Sequence, residues 1–588
     1  MHPTGPTSAL GQPRAGFERI LAALVIAAFV ALSAVSIVHR PSVGFDSSLG
    51  LLTWQSMERG ARFNHLKMAG QPDLAADRDK YLSDQSPGSY LLPALVSRLL
   101  RTRIGVGVTV LQIVGIGLGV LGYYLLYIHT FRFPNKVALG ACLVLLLRTE
   151  TVEHAVRYNG GILLLFAATP WFLISSWACL RKRGIYLALL PLIFLAGAFL
   201  KLSFALIALS VTAASILYRL LKRKDYTQRQ LVSQSTIDLL AFVCFYALLF
   251  LFHTSKGWTA AHPSAGRSPF EAILILSYSL AGILTSATSI LSSVTSFGAP
   301  FDWDPDRTLS LFHAISVPWL IFVAVAALAV LLLFRAVWVR VIHPEYRAML
   351  LSLAMVHVVA LSSFFLGRSL IPEDRHFWPV SALLLPGALL ILFNMRSTYW
   401  KALFTIVVCA QLTFSLWANR QTLWFQESAR SESLAITFPD SSQELVDTIV
   451  RLDGELTSGR NVFLFTEPSL ALLVQKNARL VSWTMFKTCY RNVGSLDRLI
   501  IVLPSETVRE STFAGVQSHF PTAKGWKAAS LGSDIVLCAG CNGSENIPSM
   551  VALPSLADAS FCKPVLGSSD HPNPVYYRLK RWLGIPSS

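Results

Sequence analysis

The chain has 588 residues, 53% hydrophobic and only 14% charged, with a mean hydropathy of +0.53. Soluble domains carry about 25% charged residues, so that class is excluded. The formal charge of +17 would suit nucleic acid, but the Lys and Arg residues gather in short loops between apolar runs, which points to membrane orientation instead.

The first apolar run, Ile20 to Val38, is longer than a signal-peptide core of roughly 7–15 residues and reads as a retained helix. Taking ~20 apolar residues as a membrane crossing, about eleven spans are predicted near 18–38, 104–128, 135–148, 160–179, 184–200, 203–220, 236–254, 308–334, 347–366, 376–395 and 400–418. Residues 270–296 are apolar but Ser/Thr-rich, and they read as an interfacial or re-entrant helix. Every second loop is short and basic: Arg132 with Lys136, Arg181-Lys182-Arg183, Lys222-Arg223-Lys224, Arg335 to Arg347, and Arg396 with Lys401. That alternation puts the N-terminus in the cytoplasm and, with an odd number of spans, the C-terminal region outside.

The exterior loops carry the candidate chemistry. Asp46 follows the first span, and apolar residues at 49, 52, 54 and 57 predict a short helix that Asp46 would cap. SPGSYLLP (86–93) reads as a turn entering an interfacial helix, with Tyr90 at headgroup level. RTETVEHAVRYNGG (148–161) crowds Glu150, Glu153, His154, Arg157 and Tyr158 into one short loop. Lys201 lies near the exterior face, against the orientation bias of basic residues, so it either snorkels or meets an anion. GRSLIPEDRHFWP (367–379) offers Arg368, Arg375 and His376, and the planar guanidinium suits phosphate oxygens. FDWDPDR (301–307) begins like a calcium loop but lacks its Gly and later Glu, so no metal or other cofactor is expected.

Residues 420–588 change character. NVFLFT (461–466), RLIIVLP (498–504) and DIVLCAG (534–540) are strand-length runs. Cys142, Cys179, Cys244 and Cys409 fall in or beside spans, whereas Cys489, Cys538, Cys541 and Cys562 fall in the exterior region, where structural disulfides are expected. The expected fold is an all-α polytopic membrane bundle (1–419), with interfacial helices in the first exterior loop, followed by a small α/β exterior domain (420–588).

GFDSSLGLL, PGSYLLP, EHAVRYNG, FLKLSF and EDRHFWPVSALLLPG, in this order and spacing, resemble the polytopic C-type glycosyltransferases, in the branch of the protein mannosyltransferases and the aminoarabinose and Rgt-type transferases. The resemblance implies a polyprenyl-phosphate sugar donor, inversion at the anomeric carbon, and a glycan, lipid or protein acceptor. It makes Asp46 the catalytic acid and puts Lys201, Arg375 and His376 near the lipid phosphate. Glu153, Arg157, Tyr90 and Arg368 follow as candidates for holding substrate. The implied location is a bacterial inner membrane. Three features depart from the pattern: no second acid adjoins Asp46, Asn159 stands where an acid is usual, and no WWDYG-like block is present. The rival readings are a lipid-linked glycan transporter and a non-catalytic envelope-assembly protein. A transporter should show internal repeats, and none is evident.

Overall fold

The computed structural model describes most of residues 15–253, 317–351 and 374–553, together with 301–302 and 310–311. The segment 270–296, most of FDWDPDR, Arg368, Cys489 and Cys562 lie outside the described residues. Ten helices in chain order cover the first half: α1 (Ala15–Val38), α2 (Phe45–Glu58), α3 (Gly88–Leu100), α4 (Ile104–Leu125), α5 (Asn135–Leu146), α6 (Thr149–Val156), α7 (Gly160–Lys182), α8 (Ile185–Leu200), α9 (Phe204–Leu221) and α10 (Gln228–Phe252). Val317–Arg340, Asp374–Phe393 and Ser397–Ala418 are helical beyond them.

Among the described residues, six helices are long and apolar enough to cross a bilayer: Gly16–Val38, Ile104–Thr130, Gly160–Lys182, Phe204–Leu221, Gln228–Phe252 and Tyr399–Ala418. A lipid-embedded backbone must satisfy its own hydrogen bonds, which is why these runs are helical. The chain is a mostly helical integral membrane protein. α4 and α7 form a central pair. A Cβ at Gly122 would lie 2.6 Å from Pro170 Cγ, and one at Gly119 would lie 2.5 Å from the Phe166 ring. Glycine lets the two backbones approach this closely, the usual device where lipid gives no hydrophobic drive between helices.

The run 135–148, one of the expected spans, is the short 12-residue α5, almost wholly buried. At 1.5 Å per residue it is about 18 Å long, short of the ~30 Å hydrocarbon core. Its carbonyl end closes inside the protein. The hydroxyls of Thr151 and Ser415 donate to the Leu145 and Leu147 carbonyls at 2.7 and 2.5 Å, supplying the partners an interrupted helix needs.

Among the described residues two sheets have four or more strands. The first is built from short pieces far apart in sequence: β1 (Ser42–Val43), β4 (Arg157–Tyr158), β7 (Ala429–Ser431) and β8 (Ile436–Phe438), in the order β4-β1-β8-β7. Between β1 and β4, the strands β2 (His65–Ala69) and β3 (Asp77–Tyr81) form an antiparallel hairpin in the first loop, and β5 (Phe301–Asp302) pairs with β6 (Ser310–Leu311). The second sheet has the order β10-β9-β11-β13-β12-β14, built from β9 (Asn461–Phe465), β10 (Ala478–Val481), β11 (Arg498–Pro504), β12 (Lys527–Leu531), β13 (Asp534–Ala539) and β14 (Val551–Ala552). NVFLF, RLIIVLP and DIVLCA are three adjacent strands among its four inner ones. Strand alternation divides their side chains between two cores. Val462, Leu464, Leu499 and Ile501 pack with Val516 and Phe520. Phe463, Phe465, Ile500 and Val502 join the core that runs on into the bundle. Leu74, from the first loop, is buried in the former cluster. Cys538 and Cys541 are joined as a disulfide around Gly540, whose φ of +78° suits glycine.

Candidate functional site

The ends of four helices converge beside the small sheet. β1 runs parallel to β4, with Ser42 opposite Arg157 and Val43 opposite Tyr158. Gly44 N–H then donates to the Tyr158 carbonyl at 2.9 Å. This pairing keeps the backbone extended through Gly44 (φ −68°, ψ 161°), which therefore occupies the N-cap of α2. Asp46, expected at the cap, lies instead in the first turn, half-buried. An acid there is favoured by the helix dipole. The Arg157 side chain arches back over Gly44, so that a Cβ at Gly44 would sit 3.7 Å from its Nε.

Hydrogen bonds tie the other ends to this point. The Gly160 N–H, opening α7, donates to Ser47 Oγ at 2.8 Å. The Tyr158 hydroxyl donates to the Ser89 carbonyl at 2.5 Å, at the start of α3. Leu202 N–H, just past α8, donates to Ser86 Oγ at 2.8 Å. Gly88 lies so close to α8 that a Cβ there would be 2.8 Å from the Phe199 carbonyl. The starts of α2, α3 and α7 and the end of α8 are thus one junction.

Lys201 belongs to it. A Cβ at Gly161 would lie 3.0 Å from Lys201 Nζ, so the bare first turn of α7 makes room for the ammonium. A helix N-terminus and a lysine together favour an anion. Glu153, on α6, lies 3.7 Å from Arg157, with side-chain exposures of 39% and 52%. The surrounding protein pushes the Glu153 carboxyl above the ordinary carboxylate value, with Glu150 adding to the shift and Arg157 opposing it. Behind these lies His154, only 3% exposed, with no hydrogen-bond partner for either ring nitrogen among the described residues. Burial, then Arg148, then Lys201 push it down to about 3. It is therefore neutral in this cationic setting.

The structure brings Asp46, Arg157, Glu153 and Lys201 to one junction. Tyr90 is placed differently from the headgroup level expected. It is fully buried, its hydroxyl donates to Asn64 Oδ1 at 2.7 Å, and a Cβ at Gly50 would lie 2.9 Å from its ring. The packing of α3 on α2 draws it inward. Arg375 and His376 open the helix Asp374–Phe393. The sequence groups His154 with its neighbours without assigning it to the site, and it gives no sign of Arg148 or of the linking serines, Ser47 and Ser86. The density of polar residues in RTETVEHAVRYNGG was the available signal. Among the described residues, no group of three or more His, Cys, Asp or Glu is arranged to hold a metal.

Solved structures supply a likeness of fold. ArnT from Cupriavidus metallidurans in the apo state superposes with a TM-score of 0.51 at 12% identity, over 89% of this chain and 98% of that one. The same protein bound to undecaprenyl phosphate gives a TM-score of 0.48 at 12% identity, over 90% and 99%. The arabinofuranosyltransferase AftD from Mycobacteria gives 0.47 at 11%, over 90% of this chain and 40% of its own length. No family model and no curated protein matches the sequence. The chain shares the fold of ArnT.

Proposed function

We propose that the protein is an inverting membrane glycosyltransferase that moves a sugar from a polyprenyl-phosphate donor to a glycan, lipid or protein acceptor at the exterior face. In this reading about eleven spans carry the site in a bacterial inner membrane, and residues 420–588 form an exterior α/β domain. The observation that carries the proposal is the junction itself. β1–β4 pairing sets Gly44, two residues before Asp46, against the Arg157 side chain, while Gly161 makes room for Lys201 at the same convergence of helix ends.

Asp46 accepts the proton of the acceptor hydroxyl as that oxygen attacks the anomeric carbon. Lys201, with Arg375 and His376, takes up the charge that forms on the departing lipid phosphate. Arg157 and Glu153 bind sugar or acceptor, and Arg368 adds a further cation. Tyr90 holds α3 against α2 and so sets the site's wall. The fold is shared with ArnT, a protein also solved with undecaprenyl phosphate bound, and this supports the choice of donor.

The test supplies purified protein with polyprenyl-phosphate sugars and follows release of polyprenyl phosphate. Asp46→Asn is expected to slow release by ~10²–10⁴-fold, the usual value of general-base help. Unchanged release would remove Asp46 from catalysis. Absence of turnover with every lipid donor would favour transport or scaffolding.

A further inference from the structure

A second concave site lies farther along α2. α2 and α3 touch closely where Gly50 meets the Tyr90 ring and enclose a cavity of about 280 Å³ farther on. Its walls are Trp54, Met57 and Glu58 from α2, with Leu91, Ala94, Leu95 and Arg98 from α3. The spacings are i, i+3, i+4 on one helix and i, i+3, i+4, i+7 on the other, so each helix lends a single face. The lining is apolar except for Glu58 and Arg98, which pair with each other and are both solvent-accessible.

We propose that this wedge binds one acyl chain of a zwitterionic phospholipid, its phosphate at Arg98 and its ammonium at Glu58. Three observations support that occupant. Leu95 lines the cavity and is itself exposed, and Leu99 is 73% exposed on the same helix. In an integral membrane protein such a surface meets lipid, so the cavity opens onto a reservoir of hydrocarbon chains. The volume is at the low end of small-ligand sites, ~300 Å³, which suits a single chain better than a whole sugar-lipid. The cation and anion at the mouth match the two charges of the headgroup. An exposed pair of this kind is weakly held and can exchange partners. Asp46 is eight residues before Trp54, about 12 Å along the helix at 1.5 Å per residue. The lipid site is therefore separate from the proposed chemistry and does not depend on it.

The experiment reconstitutes the full chain in vesicles of phosphatidylethanolamine and phosphatidylglycerol. A trace of phospholipid with a photoreactive acyl chain is carried on one headgroup or the other, and labelled peptides are mapped after illumination. Labelling at residues 54–58 and 91–98 is expected to exceed that of the exposed face of α10 several-fold, and to be stronger with phosphatidylethanolamine. Ala94→Trp, which fills the cavity, and Leu95→Trp, which blocks its mouth without touching the buried core, should each remove the excess while α10 labelling stays constant. Arg98→Gln with Glu58→Gln should equalise the two headgroups. The proposal is overturned if labelling at 91–98 is no greater than on α10, if the headgroups label equally in the wild type, or if Leu95→Trp leaves the excess in place.

Discussion

The two ends of the bundle handle charge in opposite ways. At one end Arg183 and Arg219 both engage Asp238, Arg183 at 3.2 Å, while the Ser215 hydroxyl donates to the same carboxylate at 2.9 Å. Asp238 is fully buried and Arg219 almost so. That cluster ties the loop before α8 to α9 and α10. At the other end Arg157 and Glu153 stand 3.7 Å apart and half open to solvent, with Lys201 lodged against Gly161. A buried cluster of charges is costly to break and has no room for a ligand. An open one adds little to stability. The same residue types thus act as a buried fastening in one place and form a half-exposed pair in the other.

The sharpest way to break the contrast is to neutralise one acid at each end. Asp46→Asn should cost ~10²–10⁴-fold in sugar transfer, with little change in thermal stability. Asp238→Ala should do the reverse, removing about 3–5 kcal/mol of stability by leaving buried guanidinium groups uncompensated. Transfer per folded molecule should be unaffected. Activity assays paired with thermal unfolding in one detergent decide between these outcomes, and a swap of the two phenotypes would refute the comparison.

A smaller effect concerns pH. His154 titrates at about 3 in the folded protein but near 6.5 when unfolded. Its folded value is depressed, so between these limits the unfolded chain binds the extra proton and stability rises with pH. Acidification from about 6.5 towards 3 should therefore destabilise the wild type by up to ~1.4 kcal/mol per pH unit from this group. His154→Phe should show a shallower acid limb in its melting temperature, and an unchanged limb would mean that His154 is not buried neutral. Smallest of all, Gly161→Ala should displace Lys201 by a few tenths of an ångström. It should raise the apparent KM for lipid donor several-fold with little effect on kcat, which steady-state kinetics would read.

The long elements were legible because hydropathy integrates over many residues. The helices at 160–182, 204–221 and 228–252 follow from it, as do three of the inner strands of the larger sheet. The shortness and burial of α5 were not, because an apolar run looks the same in a full-length span and in a buried half-helix. What ends it is the pair of hydroxyls from Thr151 and Ser415, one of them 268 residues away. The site was legible as a set of residues but not as an arrangement. Two-residue strands such as Ser42–Val43 and Arg157–Tyr158 have no period to detect. Asp46 could be read as a helix-start acid, yet its exact seat depends on Gly44 bonding Tyr158. Lys201 could be read as misplaced, but not as the neighbour of Gly161 and His154.

The small sheet has a consequence for biogenesis. Thr437 sits opposite Ser42 on β1, and β1 in turn frames Asp46. The ribosome adds about 5–20 residues per second, so roughly 20–80 s separate the synthesis of these two strands. During that interval the N-terminal half is already threaded through the bilayer with this seam incomplete. Maturation of the seam is therefore timed by the arrival of a late segment, and a chain halted before residue 436 would reach the membrane with β1 lacking one of its neighbours.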